Sequence, residues 1–88
     1  MYYVYILQSE KDLNFYIGCT NNLKLRFRQH NEGKTRSTKS RVPFKLIYYE
    51  ALLDKHDAFS REQWLKTGWG NRQIKIILKN YLNYNKQT

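Results

Sequence analysis

Residues 2–8, Tyr-Tyr-Val-Tyr-Ile-Leu-Gln, carry an aromatic or aliphatic side chain at almost every position. Aromatic and β-branched residues favour a strand. A strand with one wet face alternates apolar and polar residues. This one is apolar on both faces, which predicts a central strand. The polar run 9–14 punctuates the chain, and residues 15–20 read as a second strand. So short a connection predicts an antiparallel hairpin. Tyr5 and Tyr16 then lie on neighbouring strands.

Asn21 or Asn22 offers the N-cap of a first helix. It runs to about His30 or Asn31, with Gly33 as its stop. Leu23 and Phe27 lie on its buried stripe. Arg26 and His30 share a face at spacing i, i+4 and flank that stripe. Residues 33–41 form a loop with four cations, Lys34, Arg36, Lys39 and Arg41, and no anion. Pro43 ends the loop and biases Val42 to an extended conformation. Residues 44–52 are a third strand in which Phe44, Leu46 and Tyr48 alternate with Lys45, Ile47 and Tyr49. Asp54 or Asp57 caps a second helix, expected to run to about Trp69, with Ala58, Phe59, Leu65 and Trp69 apolar. Gly68 and Gly70 break it, and Asn71 can cap the next. Ile74, Ile77, Leu78, Tyr81 and Leu82 give that last helix a 3.6-residue stripe.

The expected order is β-β-α-β-α-α: an α+β fold with helices packed on a three-stranded antiparallel sheet. Residues 1–83 form one domain, and 84–88 a polar tail. The 88 residues allow one small core, since a chain this short buries only about 60–65% of its unfolded surface. Eight Tyr, four Phe and two Trp compensate, each ring burying about 150–250 Å². Some of the tyrosines are therefore structural.

Sixteen Lys and Arg stand against seven Asp and Glu, a formal charge of +9. Such an excess opposes folding and attracts polyanions. Nucleic acid is the leading partner, ahead of a basic ribosome-associated or simply soluble protein and, third, an anionic membrane surface. The single cysteine, Cys19, excludes an intramolecular disulfide and a cysteine-built zinc cluster, and fits a reducing cytosol. No stretch approaches the roughly 18–20 apolar residues that span a bilayer. The N-terminus lacks the basic leader of a signal peptide. The expectation is a cytoplasmic protein without a membrane anchor.

Cleaving a phosphodiester needs a nucleophilic water, a neutralised phosphate and a stabilised leaving oxygen. Tyr5 and Tyr16 offer phenols, which titrate near pH ~10 and which nearby cations make more acidic. An ionised phenol accepts a proton from water. The alternative is a pair of structural tyrosines with hydrogen-bonded hydroxyls. Arg26 can fork onto a phosphate oxygen and offset charge in the transition state, or it is a solvated surface cation. His30 can donate to a phosphate or a leaving oxygen. Otherwise it is a helix-end imidazole near the C-terminal dipole. Glu62 interrupts the apolar stripe of the second helix, where a carboxylate needs a partner. One divalent cation fits, because Mg²⁺ usually takes only one or two carboxylates. A salt bridge to Arg26 or Lys66 fits equally. Loop 33–41 reads as a phosphate clamp, through Lys34, Arg36, Lys39 and Arg41.

In this order, these residues resemble the GIY-YIG nuclease superfamily. The likeness is to its small single-domain bacterial branch, with a catalytic domain similar to that of the excision-repair incision nuclease. Tyr3-Val4-Tyr5 stands where the family has Gly-Ile-Tyr, and Tyr16-Ile17-Gly18 matches the second triplet. Arg26 matches the family's catalytic arginine, His30 its frequent downstream histidine, and Glu62 its metal-binding glutamate. Lys66 falls where a lysine is common in this branch, and Asn83 matches a late asparagine that lies near the site in related proteins. Tyr3 replaces the first glycine of the family name. Tyr84 and Asn85 stand where Pro and Trp usually follow the late asparagine.

The resemblance implies metal-dependent hydrolysis of DNA phosphodiesters, with one Mg²⁺ or Mn²⁺ ion on Glu62, in DNA repair or recombination. Tyr5, Tyr16, Arg26, His30 and Glu62 are the expected catalytic set. Lys34, Arg36, Lys39, Arg41, Lys66 and Asn83 are the expected nucleic-acid contacts. The alternative is a non-catalytic nucleic-acid-binding module of the same fold, for which the charge and the loop suffice. A protein partner is a further alternative, with Trp64, off the helix stripe, as its contact.

Overall fold

Strand β1 (Tyr2–Ser9) is the middle of three, flanked antiparallel by β2 (Phe15–Thr20) and β3 (Phe44–Leu52). The computed structural model describes residues 1–87. Thr88, the end of the expected polar tail, lies outside them. Side chains alternate across a strand, so β1 sends Val4 and Ile6 to one face and Tyr5 and Leu7 to the other. All four are buried.

Each face has its own cover. Val4, Ile6 and Ile17 pack with Ala58 and Leu65 of α2 (Lys55–Leu65) and Ile74 of α3 (Gly68–Ile77). Tyr5, Leu7 and Phe44 pack with Leu23 and Phe27 of α1 (Leu23–Asn31). Asn22 caps α1, accepting from the Leu25 N–H, and Gly33 leaves it at φ 72°. Such a backbone suits a residue without Cβ.

The antiparallel sheet and the element order are those the sequence predicts, with the final helical stretch divided into α3 and α4 (Lys79–Gln87). Three details differ. The β1–β3 register slips between Ile6 and Leu7, which oppose Tyr48 and Leu46. Ile47 is the extra residue of this bulge. Ile47 and Tyr48 consequently pack on the α2–α3 face while Leu46 packs on the α1 face, so the expected alternation fails there.

Helix α2 stops at Leu65, short of Trp69, because Thr67 starts a new helix: its hydroxyl accepts from the Gly70 N–H. Gly68 and Gly70 therefore lie inside α3. A Cβ on Gly70 would overlap the Trp64 carbonyl and the Leu65 backbone, so the absence of a side chain lets α3 fold tightly onto α2. The expected apolar stripe also shrinks. Ala58 and Leu65 are buried, but Phe59 is 56% and Trp69 70% exposed. Ile77, expected on the last helix's buried stripe, is 40% exposed. Helix α4 is tied to the sheet by the Tyr81 hydroxyl, which donates to Gln8 Oε1 at 2.6 Å.

Candidate active site on the α1 face

Tyr5 and Gly18 are direct cross-strand partners. The Tyr5 ring lies across Gly18, and a Cβ there would overlap the phenol. The glycine of the second triplet is thus the seat of the tyrosine of the first. On the same face the Tyr16 ring centroid lies 6.4 Å from that of Tyr5 and 4.9 Å from that of His30.

The Tyr5 hydroxyl meets His30 Nε2 at 2.9 Å, and His30 Nδ1 meets the Thr38 hydroxyl at 2.8 Å. Tyr5, His30 and Thr38 are all essentially unexposed. Burial, helped by the nearby Arg26 guanidinium, pushes the imidazole pKa down to about 4. His30 is therefore neutral at physiological pH, with both ring nitrogens engaged. This corrects the expectation that it touches a phosphate or a leaving oxygen. The helix C-terminal dipole would raise the value, and enclosure outweighs it.

Tyr5 departs from expectation as well. Burial pushes its pKa up to about 12. The Arg26 guanidinium beside it opposes that rise, while the Tyr16 phenol and the Glu62 carboxylate add to it. Cations do not make this phenol more acidic, because desolvation of the phenolate outweighs Arg26. Arg26 itself is half-buried on α1, one turn before His30, and its Nη1 reaches Gln29 Oε1 at 3.4 Å.

Glu62 stands in the other layer, on α2. It lines a cleft with Cys19, Thr20 and Asn21. Its carboxylate acts on Tyr5, and it helps burial raise the Cys19 thiol pKa. The Glu62 side chain is only 12% exposed, and Lys66 Nζ sits 3.0 Å from its carboxylate. Lys66 lines the adjoining groove with Tyr16. Among the described residues no three His, Cys, Asp or Glu side chains cluster. A single carboxylate fits an ion that takes its other oxygens from water and phosphate. Glu62 is thus chemically suited to hold Mg²⁺ or Mn²⁺, once Lys66 gives way.

The basic loop divides. Arg41 points inward: its guanidinium donates to Asp12 at 2.9 Å and to the Phe15 carbonyl at 3.3 Å, and lies over Phe44. Arg41 holds the Asp12 carboxyl below its ordinary pKa. It is a fastener between the loop and the β1–β2 turn, not an open phosphate grip. Lys34 pairs with Glu32 at 3.3 Å. Arg36 and Lys39 are exposed and, among the described residues, have no carboxylate partner. Asn83 lies apart from Tyr5 and Arg26, in a groove with Gln8, Phe15 and Lys79. Sequence reasoning missed Thr38, which looks like any other polar residue of a cationic loop.

Comparison with known proteins identifies the family. A UPF0213 protein of Clostridium perfringens is 40% identical over 99% of this chain and 97% of its own length. Another, from Limosilactobacillus reuteri, is 41% identical over 88% of this chain and 82% of its own. The solution NMR structure of a UPF0213 protein from Bacillus halodurans superposes with a TM-score of 0.55. It is 31% identical, covering 88% of this chain and 85% of that one. The family model of the GIY-YIG catalytic domain matches residues 1–73. With the two tyrosine triplets on paired strands and the arginine helix beside them, this chain belongs to the GIY-YIG nuclease family.

Proposed function

We propose that this protein is a metal-dependent endonuclease that hydrolyses DNA phosphodiesters, acting in the cytoplasm in DNA repair or recombination. One observation carries the reading: the buried Tyr5 phenol is hydrogen-bonded to His30 and packed beside Tyr16, with Arg26 one turn before His30 on the same helix. A fold held together by apolar contacts alone has no use for that gathering.

Arg26 grips a non-bridging oxygen of the scissile phosphate and offsets its charge. Tyr16, half-buried and open to the groove beside Lys66, is the phenol that meets a water. Its ionised form takes a proton from that water. The water oxygen bonds to phosphorus as the P–O bond to the leaving strand breaks, and the leaving oxygen takes up a proton from solvent water. Tyr5, buried and fixed by His30, positions Arg26 from behind without touching the phosphate. Glu62 would hold one Mg²⁺ or Mn²⁺ ion, which supplies Lewis-acid stabilisation when bound. Arg36 and Lys39 supply phosphate contacts outside the reacting centre.

A non-catalytic nucleic-acid-binding module is the second reading. The Glu62–Lys66 pair at 3.0 Å favours it, since it satisfies the carboxylate without an ion. Incubation with supercoiled, linear, branched and single-stranded DNA, in Mg²⁺, Mn²⁺ or EDTA, separates the two. The nuclease reading expects cutting in metal, none in EDTA and none with Glu62→Ala. Salt-sensitive binding without turnover in any metal supports the second reading instead.

A further inference from the structure

The outer edge of β2 borders a groove that starts at Tyr16 and runs on beyond the residues the proposed chemistry uses. One stretch is lined by Leu13, Phe15, Tyr16, Lys66, Asn71 and Lys75. The next is lined by Gln8, Leu13, Phe15, Lys75, Lys79 and Asn83, with Leu82. Leu13, Phe15 and Lys75 belong to both, so the two stretches are one path leading away from Tyr16. Its charged lining is all cationic among the described residues. Lys66 pairs with Glu62, whereas Lys75 and Lys79 have no carboxylate within 4.0 Å among the described residues.

The groove has a rigid frame. On one side the Tyr81 hydroxyl donates to Gln8 Oε1 at 2.6 Å. Gln8 Nε2 donates in turn to the Leu13 carbonyl at 3.0 Å. Helix α4 and the β1–β2 turn are thereby fixed to the same side chain of the central strand. The turn holds Leu13 at φ 63° and 67% exposed, a conformation that L-residues with a branched side chain rarely adopt. That leaves an aliphatic side chain lining both stretches of the groove, as Phe15 does.

We propose that this groove binds an unpaired strand of nucleic acid running on from the site. Phe15 and Leu13 form an apolar floor for base faces, and Lys75 and Lys79 form a rim for phosphates. Stacking platforms flanked by cations bind single strands. A duplex keeps its base faces stacked inside and has nothing to set on such a floor. The assignment rests on the reading that the chain acts on nucleic acid, and it is independent of turnover.

The test is fluorescence anisotropy of a labelled single-stranded 15-mer in EDTA across a salt series. Lys75→Gln/Lys79→Gln is expected to weaken binding roughly tenfold and to flatten the log–log salt slope by about 1.4, at about 0.7 per phosphate contact for single strands. Phe15→Leu keeps the apolar packing but removes the aromatic face, and is expected to weaken binding about fivefold. Circular dichroism of each variant should match wild type. A ribo-oligomer of the same sequence identifies the preferred sugar, and lysine-dependent binding of either supports the groove. Unchanged affinity and slope in the double variant would overturn it. So would a 15-bp duplex bound as tightly as the single strand and weakened equally by the two substitutions. A protein that never cuts in Mg²⁺ yet binds through Lys75 and Lys79 refutes the nuclease reading and leaves the groove standing.

Discussion

The Tyr5 hydroxyl and His30 Nε2 lie 2.9 Å apart in the interior, and Thr38 meets the other ring nitrogen at 2.8 Å. The Thr38 hydroxyl is also 3.4 Å from the Thr35 carbonyl, which can only accept. If its proton goes there, Thr38 accepts from Nδ1–H, and Nε2 accepts from Tyr5. Long-range ¹H–¹⁵N correlation of the His30 ring should therefore find the Nδ1–H tautomer, and Thr38→Val should reverse it. Losing that buried hydrogen bond should also cost about 1–3 kcal/mol of stability, readable by urea denaturation. Thr38→Ser should restore both.

His30 also makes stability depend on pH. Its pKa is about 4 folded against about 6.5 in an unfolded chain. Between these values the unfolded state binds the extra proton, so stability falls as pH drops from about 6.5 towards 4. The full loss is on the order of 3 kcal/mol. Urea midpoints at pH 7, 6, 5 and 4.5 should trace it. His30→Gln should abolish this component; an unchanged slope in that variant would assign the titration to another group.

Gly18→Ala should destabilise the fold by about 1–3 kcal/mol, a small-to-large change with no free space. The methyl would occupy the position of the Tyr5 phenol. Tyr5→Leu in the same chain removes that hydroxyl and should recover part of the loss, which a double-mutant cycle by chemical denaturation measures.

Arg26→Ala should lower the cleavage rate about 10²–10³-fold, the usual loss for one transition-state donor, with unfolding close to wild type. Glu62→Gln should abolish metal-dependent cutting and weaken Mn²⁺ binding in calorimetry. Retained Mn²⁺ binding in Glu62→Gln would remove that residue from the metal site.

The basic loop should split by function. Arg36→Gln/Lys39→Gln should weaken DNA binding and reduce the salt slope by about 1.8 on duplex, two contacts at about 0.9 each. Its melting temperature should stay near that of wild type. Arg41→Gln should lower the melting temperature instead, because Arg41 fastens the loop to Asp12 and the Phe15 carbonyl.

Local pattern was enough to determine the three strands, an α1 that starts after Asn21 or Asn22 and stops at Gly33, and the pairing of the two tyrosine triplets. Strand periodicity, cap chemistry and a short hairpin are properties of neighbouring residues, and the sequence displays them directly. It could not decide the neutrality of His30, the high pKa of Tyr5 or the inward turn of Arg41. Those depend on desolvation and on partners 25 and 29 positions away, distances that leave no local pattern. The same holds for Gly18, whose lack of a side chain acquires a reason only when Tyr5 is laid across it. Residue order along the strands and helices thus named the chemical groups, while packing of α1 and α2 against opposite faces of one sheet decided which are buried, which are charged and which meet.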